Sequence, residues 1–148
     1  MTTTINIDRN YSYVLLAATG TFVLNLVHGI NVSKHRRIAG VNYPAAYSPS
    51  SRTDKAAMCF DSAQRAHCNY IENQLSTVGA MLIAGIRYPI TASVMGTSWM
   101  VCRWLYMTGY SRGEENGKGR IQGLGSFIFQ YILVIMSGYT SLAILRDF

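Results

Sequence analysis

Two long stretches of this chain carry no charged residue. The first runs from about Tyr11 to Val32, between Arg9 and Lys34, and the second from Ile121 to Leu145. A helix needs about 20 mostly apolar residues to cross a bilayer, and each stretch is long enough. The first lacks a small-residue cleavage site after a short apolar core, so it is expected to remain as an anchor rather than be removed as a signal peptide. A third candidate opens at Pro89, a favourable first-turn residue. It stays uncharged to Cys102 and continues through Arg103 and Tyr106 to about Thr108. The remaining candidate, about 61–86, is apolar only from Leu75 to Ile86. Its earlier half holds Arg65, His67, Asn69 and Glu72, which suits a helix whose polar half lies inside a bundle. The expectation is an all-α integral membrane protein, a left-handed bundle of four transmembrane helices over about 11–32, 61–86, 89–108 and 121–145.

Composition supports this. The 148 residues suffice for one domain, 1–148, and charged residues make up 14% of them against about 25% in an ordinary soluble domain. The charges are segregated into short basic connectors. Lys34, Arg36, Arg37, Arg52, Lys55, Arg112, Lys118 and Arg120 fall in the first and third loops, while the other side has only Arg9, Arg87 and Arg146. The excess of Lys and Arg on cytoplasmic loops places loops one and three in the cytosol and both termini on the opposite face. The net charge of +6 therefore points to lipid headgroups or an anionic small ligand, with no nucleic acid as partner. Cys59, Cys68 and Cys102 form no metal or disulfide pattern and read as inert buried thiols, with no metal site. The glycosylation patterns at Asn10 and Asn31 abut the first span and are expected to stay unmodified.

Ionisable residues at membrane depth are expensive and are functional candidates by default. Arg65, Asn69 and Glu72 stand at i, i+4 and i+7, on one helical face. Arg103, Tyr106 and Tyr110 stand at i, i+3 and i+7 on the third helix. Both stripes lie toward the cytosolic ends of their helices, and Arg36, Arg37 and Arg120 lie at the same face. Taken singly, each stripe is explained by an Arg65–Glu72 pair or by interfacial tyrosines. Taken together, they suit a shared binding pocket. Arginine grips carboxylates through a bidentate fork, glutamate accepts from an amine, and asparagine serves peptide groups. A small acidic peptide such as glutathione fits that set, and phosphorylated lipids would also attract the arginines. His28 and His35 read as structural or surface residues.

The run Phe60-Asp61-Ser62-Ala63-Gln64-Arg65-Ala66-His67-Cys68-Asn69-Tyr70-Ile71-Glu72-Asn73 resembles the signature of the MAPEG family, the membrane-associated proteins in eicosanoid and glutathione metabolism. Val41-Asn42-Tyr43-Pro44-Ala45-Ala46-Tyr47-Ser48 resembles the loop of that family's microsomal glutathione S-transferase 3 branch, as do Gly109 and Leu124-Gly125-Ser126. The resemblance implies a homotrimer in the endoplasmic reticulum or nuclear envelope, binding glutathione as co-substrate between subunits near the cytosolic face. It implies glutathione contacts at Arg36, Arg65, Asn69, Glu72, Arg103, Tyr106 and Tyr110. It implies catalytic roles for Arg37, near the bound lipid, and for an arginine facing the glutathione sulfur at the start of the fourth helix. Counting back from Leu124-Gly125-Ser126 puts Ile121 at that position, with Arg120 one residue, about 100° of helix, away. Arg120 is the candidate. Asn73 stands where the leukotriene C synthase relative has a tyrosine.

Three functions follow as alternatives. The chain is a glutathione transferase or peroxidase acting on a lipophilic second substrate from the bilayer. Or it presents lipid without chemistry, as the five-lipoxygenase-activating protein does. Or its polar stripes only glue helices together. The arginine and tyrosine set favours the enzyme.

Overall fold

The architecture, seen over residues 8–147 of a computed structural model, is four long helices: α1 (Tyr11–Ala39), α2 (Lys55–Gly85), α3 (Pro89–Tyr110) and α4 (Gly125–Asp147). A 3-10 segment, Glu115–Gly123, precedes α4. No strand occurs among the described residues, and the domain expected over 1–148 extends past them at both ends. α2 and α3 pack on each other, and α1 and α4 each pack on that pair.

α1 and α4 are long and apolar enough to cross a membrane, with windows of mean hydropathy 1.6 and 1.7. α2 and α3 fall short of that composition, because the polar stripes lie on them. At the end of the bundle remote from loop one, the core is built from Val14, Ala17, Ala18, Ala80, Met81, Ala84, Ala92 and Leu133. Small residues let helix backbones approach closely where lipid removes the usual hydrophobic drive. Gly85 is one such place, since a Cβ there would come within 2.8 Å of Val14. The middle of the bundle is aromatic, with Tyr70 and Trp99 at 5.3 Å between ring centroids.

The helix ends differ from the expected spans for local reasons. α1 runs past Val32 to Ala39, since Arg36 and Arg37 in the last turn complement the negative end of the helix dipole. It stops at Gly40, whose φ of 62° supplies the left-handed residue of a Schellman cap, with Gly40 N–H on Arg37 O and Val41 N–H on Arg36 O. α2 starts at Lys55, earlier than 61, because the Asp54 side chain accepts from Ala57 N–H at 3.1 Å. α3 begins at Pro89 as expected.

The fourth helix is corrected at its start, which is Gly125 and not Ile121. Gly113, Asn116 and Gly117 adopt positive φ (60°, 55° and 63°), which breaks helical continuation and folds the connector back onto α3. Gly119 then meets Gly109 backbone to backbone, too close to admit a side chain on either. The same face of the molecule is tied by Arg52 Nη1 donating to Ala39 O at 2.6 Å, Lys55 Nζ to Gly113 O at 3.0 Å, and Asn31 Nδ2 to Ser111 Oγ at 2.8 Å.

Candidate functional site

The two polar stripes meet. Arg103 of α3 is 1% exposed and reaches across to α2, where its Nη2 donates to Asn69 O at 2.6 Å and to Asn69 Oδ1 at 2.9 Å. Asn69 Nδ2 donates to Glu72 Oε2 at 3.4 Å, and Arg65 Nη1 pairs with Glu72 Oε1 at 3.2 Å. The i, i+4, i+7 spacing thus delivers Arg65, Asn69 and Glu72 to one face, and Arg103 joins it from the neighbouring helix.

The guanidinium of Arg103 stands over four rings: Tyr106 at 5.1 Å, Trp99 at 5.5 Å, and Tyr70 and Phe127 at 5.8 Å. The π-faces offset part of the cost of burying this cation. Among the described residues its Nε and Nη1 have no hydrogen-bond partner, and Asn69, a neutral residue, is the one neighbour it is hydrogen-bonded to. A buried cation with unfilled donors and no paired carboxylate attracts an anion.

From Arg103 the site continues along α3. Tyr106 and Tyr110 meet edge to face at 5.5 Å, and the Arg120 guanidinium lies 5.9 Å from the Tyr110 ring centre. Arg120 belongs to the 3-10 segment, not to α4, and reaches this wall because the Gly109–Gly119 contact docks the connector there. Tyr106 lies in the electrostatic field of Arg65, Arg103 and Arg120 together. Arg65, Asn69, Glu72, Arg103, Tyr106, Tyr110 and Arg120 therefore form one continuous network, open at Arg65 and Glu72 and buried at Arg103 and Tyr106.

Arg36 and Arg37 are placed elsewhere within the protomer. Arg36 turns into the first loop, where Nη1 donates to Ala45 O at 2.7 Å and the guanidinium covers the Tyr43 and Phe60 rings at 4.4 and 4.7 Å. Arg37 is exposed and lines a groove of about 790 Å³ with Asn25, Gly29, Ser33, Lys34 and His67. His28 is buried, with ring centroids 4.4 Å from Tyr70 and 5.9 Å from His67. His35 lies outside the apolar span, and burial first and Lys34 second hold its pKa below the usual value.

Sequence reasoning passed over the contributors from loop one and from aromatic neighbours. The Tyr47 hydroxyl lies close enough to the Cys68 thiol and the Arg65 guanidinium to feel both electrostatically. Burial, and then Cys68, push its pKa up, so it stays a protonated donor at neutral pH. Asp61 holds the loop in place through Ser48. Periodicity cannot place a loop residue on a helix face, so Tyr47 carried no such signal. Asp61 did carry one, since it stands four residues before Arg65. Trp99 and Phe127 complete the ring around Arg103.

Arg65 and Glu72 keep side-chain exposures of 51% and 52% in the single protomer. This end of the network is open, and each partner of its ion pair is about half uncovered. The family model that matches this chain is that of the MAPEG family, over residues 14–140.

Proposed function

The chain belongs to the MAPEG family, and from that premise we propose that it is a membrane-bound glutathione transferase or peroxidase of the microsomal glutathione S-transferase 3 branch. The observation that carries the reading is Arg103, a buried cation with unfilled donors, joined through Asn69 to the Arg65–Glu72 pair. Glutathione brings two carboxylates, one ammonium and two peptide groups. Glu72 takes the ammonium, the arginines take the carboxylates, and Asn69 serves a peptide group.

In this reading all four helices span the membrane of the endoplasmic reticulum or nuclear envelope, with loops one and three cytosolic and the termini lumenal. An exposed ion pair at membrane depth is costly, which supports a homotrimer in which a second copy covers the open face. That copy also brings Arg37, which the protomer places away from its own stripe, to the bound tripeptide and to the lipophilic substrate, while Arg36 stays engaged in loop one.

The thiol of glutathione has an ordinary pKa of about 8.5, and a nearby cation stabilises the thiolate, about 1.4 kcal/mol for each unit of lowering. Arg120 is the activating group, and Tyr106 or Tyr110 donates a hydrogen bond to the sulfur. The thiolate attacks an electrophilic carbon, such as that of an epoxide whose C–O bond breaks as its oxygen takes a proton. Alternatively, two glutathiones reduce a lipid hydroperoxide to the alcohol and water and leave as the disulfide.

The test is a glutathione titration of the detergent-purified protein, followed by ultraviolet thiolate absorbance, in wild type and Arg120→Ala. A thiolate signal lost in the variant is expected. A signal kept in both moves the activating role to Arg37 or Arg103. Binding without any thiolate favours a non-catalytic lipid-presenting member of the family, and absence of binding overturns the glutathione reading.

A further inference from the structure

Residues Tyr43 to Ser48 fold back toward the start of the polar stripe and are pinned on both sides. Arg36 holds one side through Ala45 O and the Tyr43 ring. On the other, Ser48 donates twice to Asp61, from N to Oδ1 at 2.8 Å and from Oγ to Oδ2 at 2.6 Å. Asp61 lies one helical turn before Arg65 and shares its face. A strap fixed at this point delivers its next side chain to the same turn. That side chain is Tyr47, whose hydroxyl stands beside Arg65 and Cys68 while the residue as a whole is 43% exposed.

We propose that Tyr47 is a substrate-contacting residue, donating its phenolic hydrogen to the α-carboxylate of the γ-glutamyl end of glutathione. The inference rests on the glutathione reading and adds to it the residue that distinguishes this end of the tripeptide. Arg65 and Glu72 stand 3.2 Å apart with opposite charges, the arrangement that suits an ammonium and a carboxylate borne on one carbon. Arg65 grips that carboxylate and Glu72 accepts from the ammonium. A carboxylate has about four acceptor positions, so Arg65 leaves room for a further donor, and Tyr47 is the hydroxyl placed there. Arg36 and Asp61 then act as positioning residues, since they fix the strap and reach the ligand only through it.

The test measures binding of two thiols to the full-length protein in detergent: glutathione, and 4-aminobutyryl-cysteinyl-glycine, which keeps the ammonium and lacks the α-carboxylate. In Tyr47→Phe, glutathione binding is expected to weaken by about tenfold, as for loss of a hydrogen bond to a charged group, with the analogue unaffected. Asp61→Ala, which frees the strap, is expected to reproduce that selective loss with the phenol still present. Unchanged glutathione binding in Tyr47→Phe overturns the proposal, and so does an equal loss for both thiols, which would mark a structural role. If the wild type binds neither thiol, the glutathione reading itself falls, and the wild-type titration alone identifies that case.

Discussion

α1 and α4 are uncharged over their apolar windows and turn most of their surface outward, with only 28% and 11% of those windows buried. α2 and α3 carry the ionisable residues and yet supply most of the large buried side chains, Phe60, Tyr70, Met81, Trp99 and Arg103 among them. A soluble bundle would reverse this order. In a bilayer, the outward face meets hydrocarbon and gains nothing from polarity, while a polar side chain inside can find partners on a neighbouring helix. Hydropathy therefore recognises most easily the outward-turned helices, not the two that supply most of the large buried side chains.

The sharpest way to break this comparison is Arg103→Met. If the interior cation exists for a ligand, glutathione binding should fall by about 3 kcal/mol, roughly a hundredfold. The thermal midpoint should hold or rise, since an apolar replacement needs no partner. A variant that binds normally but unfolds earlier would make Arg103 structural.

Glycines give a second contrast, between inside and outside. Gly109→Ala thrusts a Cβ at the Gly119 carbonyl and should destabilise by about 1–3 kcal/mol, as overpacking does, while displacing Arg120. Gly138→Ala on α4 meets nothing within 4 Å and should stabilise by about 0.5–1 kcal/mol. Thermal unfolding in detergent checks both. Destabilisation at Gly138 would show that another copy packs on this face of α4.

The smallest effect concerns how the helices begin. Asn10 caps α1 without a side-chain bond. Asp54 caps α2 and is held at a pKa of about 2 by the Arg52 fork first and the Ala57 amide second. A carboxylate whose folded pKa is depressed contributes stability that is complete above its unfolded value of about 3.9 and is lost as pH falls through the folded value. As pH falls from about 4 to 2, the protection of the Ala57 amide relative to its intrinsic exchange rate at each pH should therefore decrease in wild type. That protection should stay constant in Asp54→Asn and at the first turn of α1.

Much of the stripe was legible because helical spacing is enough to align side chains on one face. Arg65, Asn69 and Glu72, and likewise Arg103, Tyr106 and Tyr110, follow from counting alone. Arg120 was legible as a residue but not as a position, because a connector with three positive-φ residues has no period to count. Arg36 and Arg37 looked equivalent as neighbours in sequence. Successive helical residues point about 100° apart, so one enters the loop and the other the α1 groove.

The sequence by itself determined the helical class, the two plain apolar helices, the place where α3 begins and the composition of each stripe, since these depend on local periodicity and on transfer of side chains out of water. Only the tertiary structure decided that Arg103 meets Asn69, that the Gly109–Gly119 contact carries Arg120 to the tyrosines, and that Asp61 holds loop one through Ser48. Those placements arise from contacts between residues distant in the chain, whose geometry is set by how closely the helices pack and by the ties that hold the connecting loops.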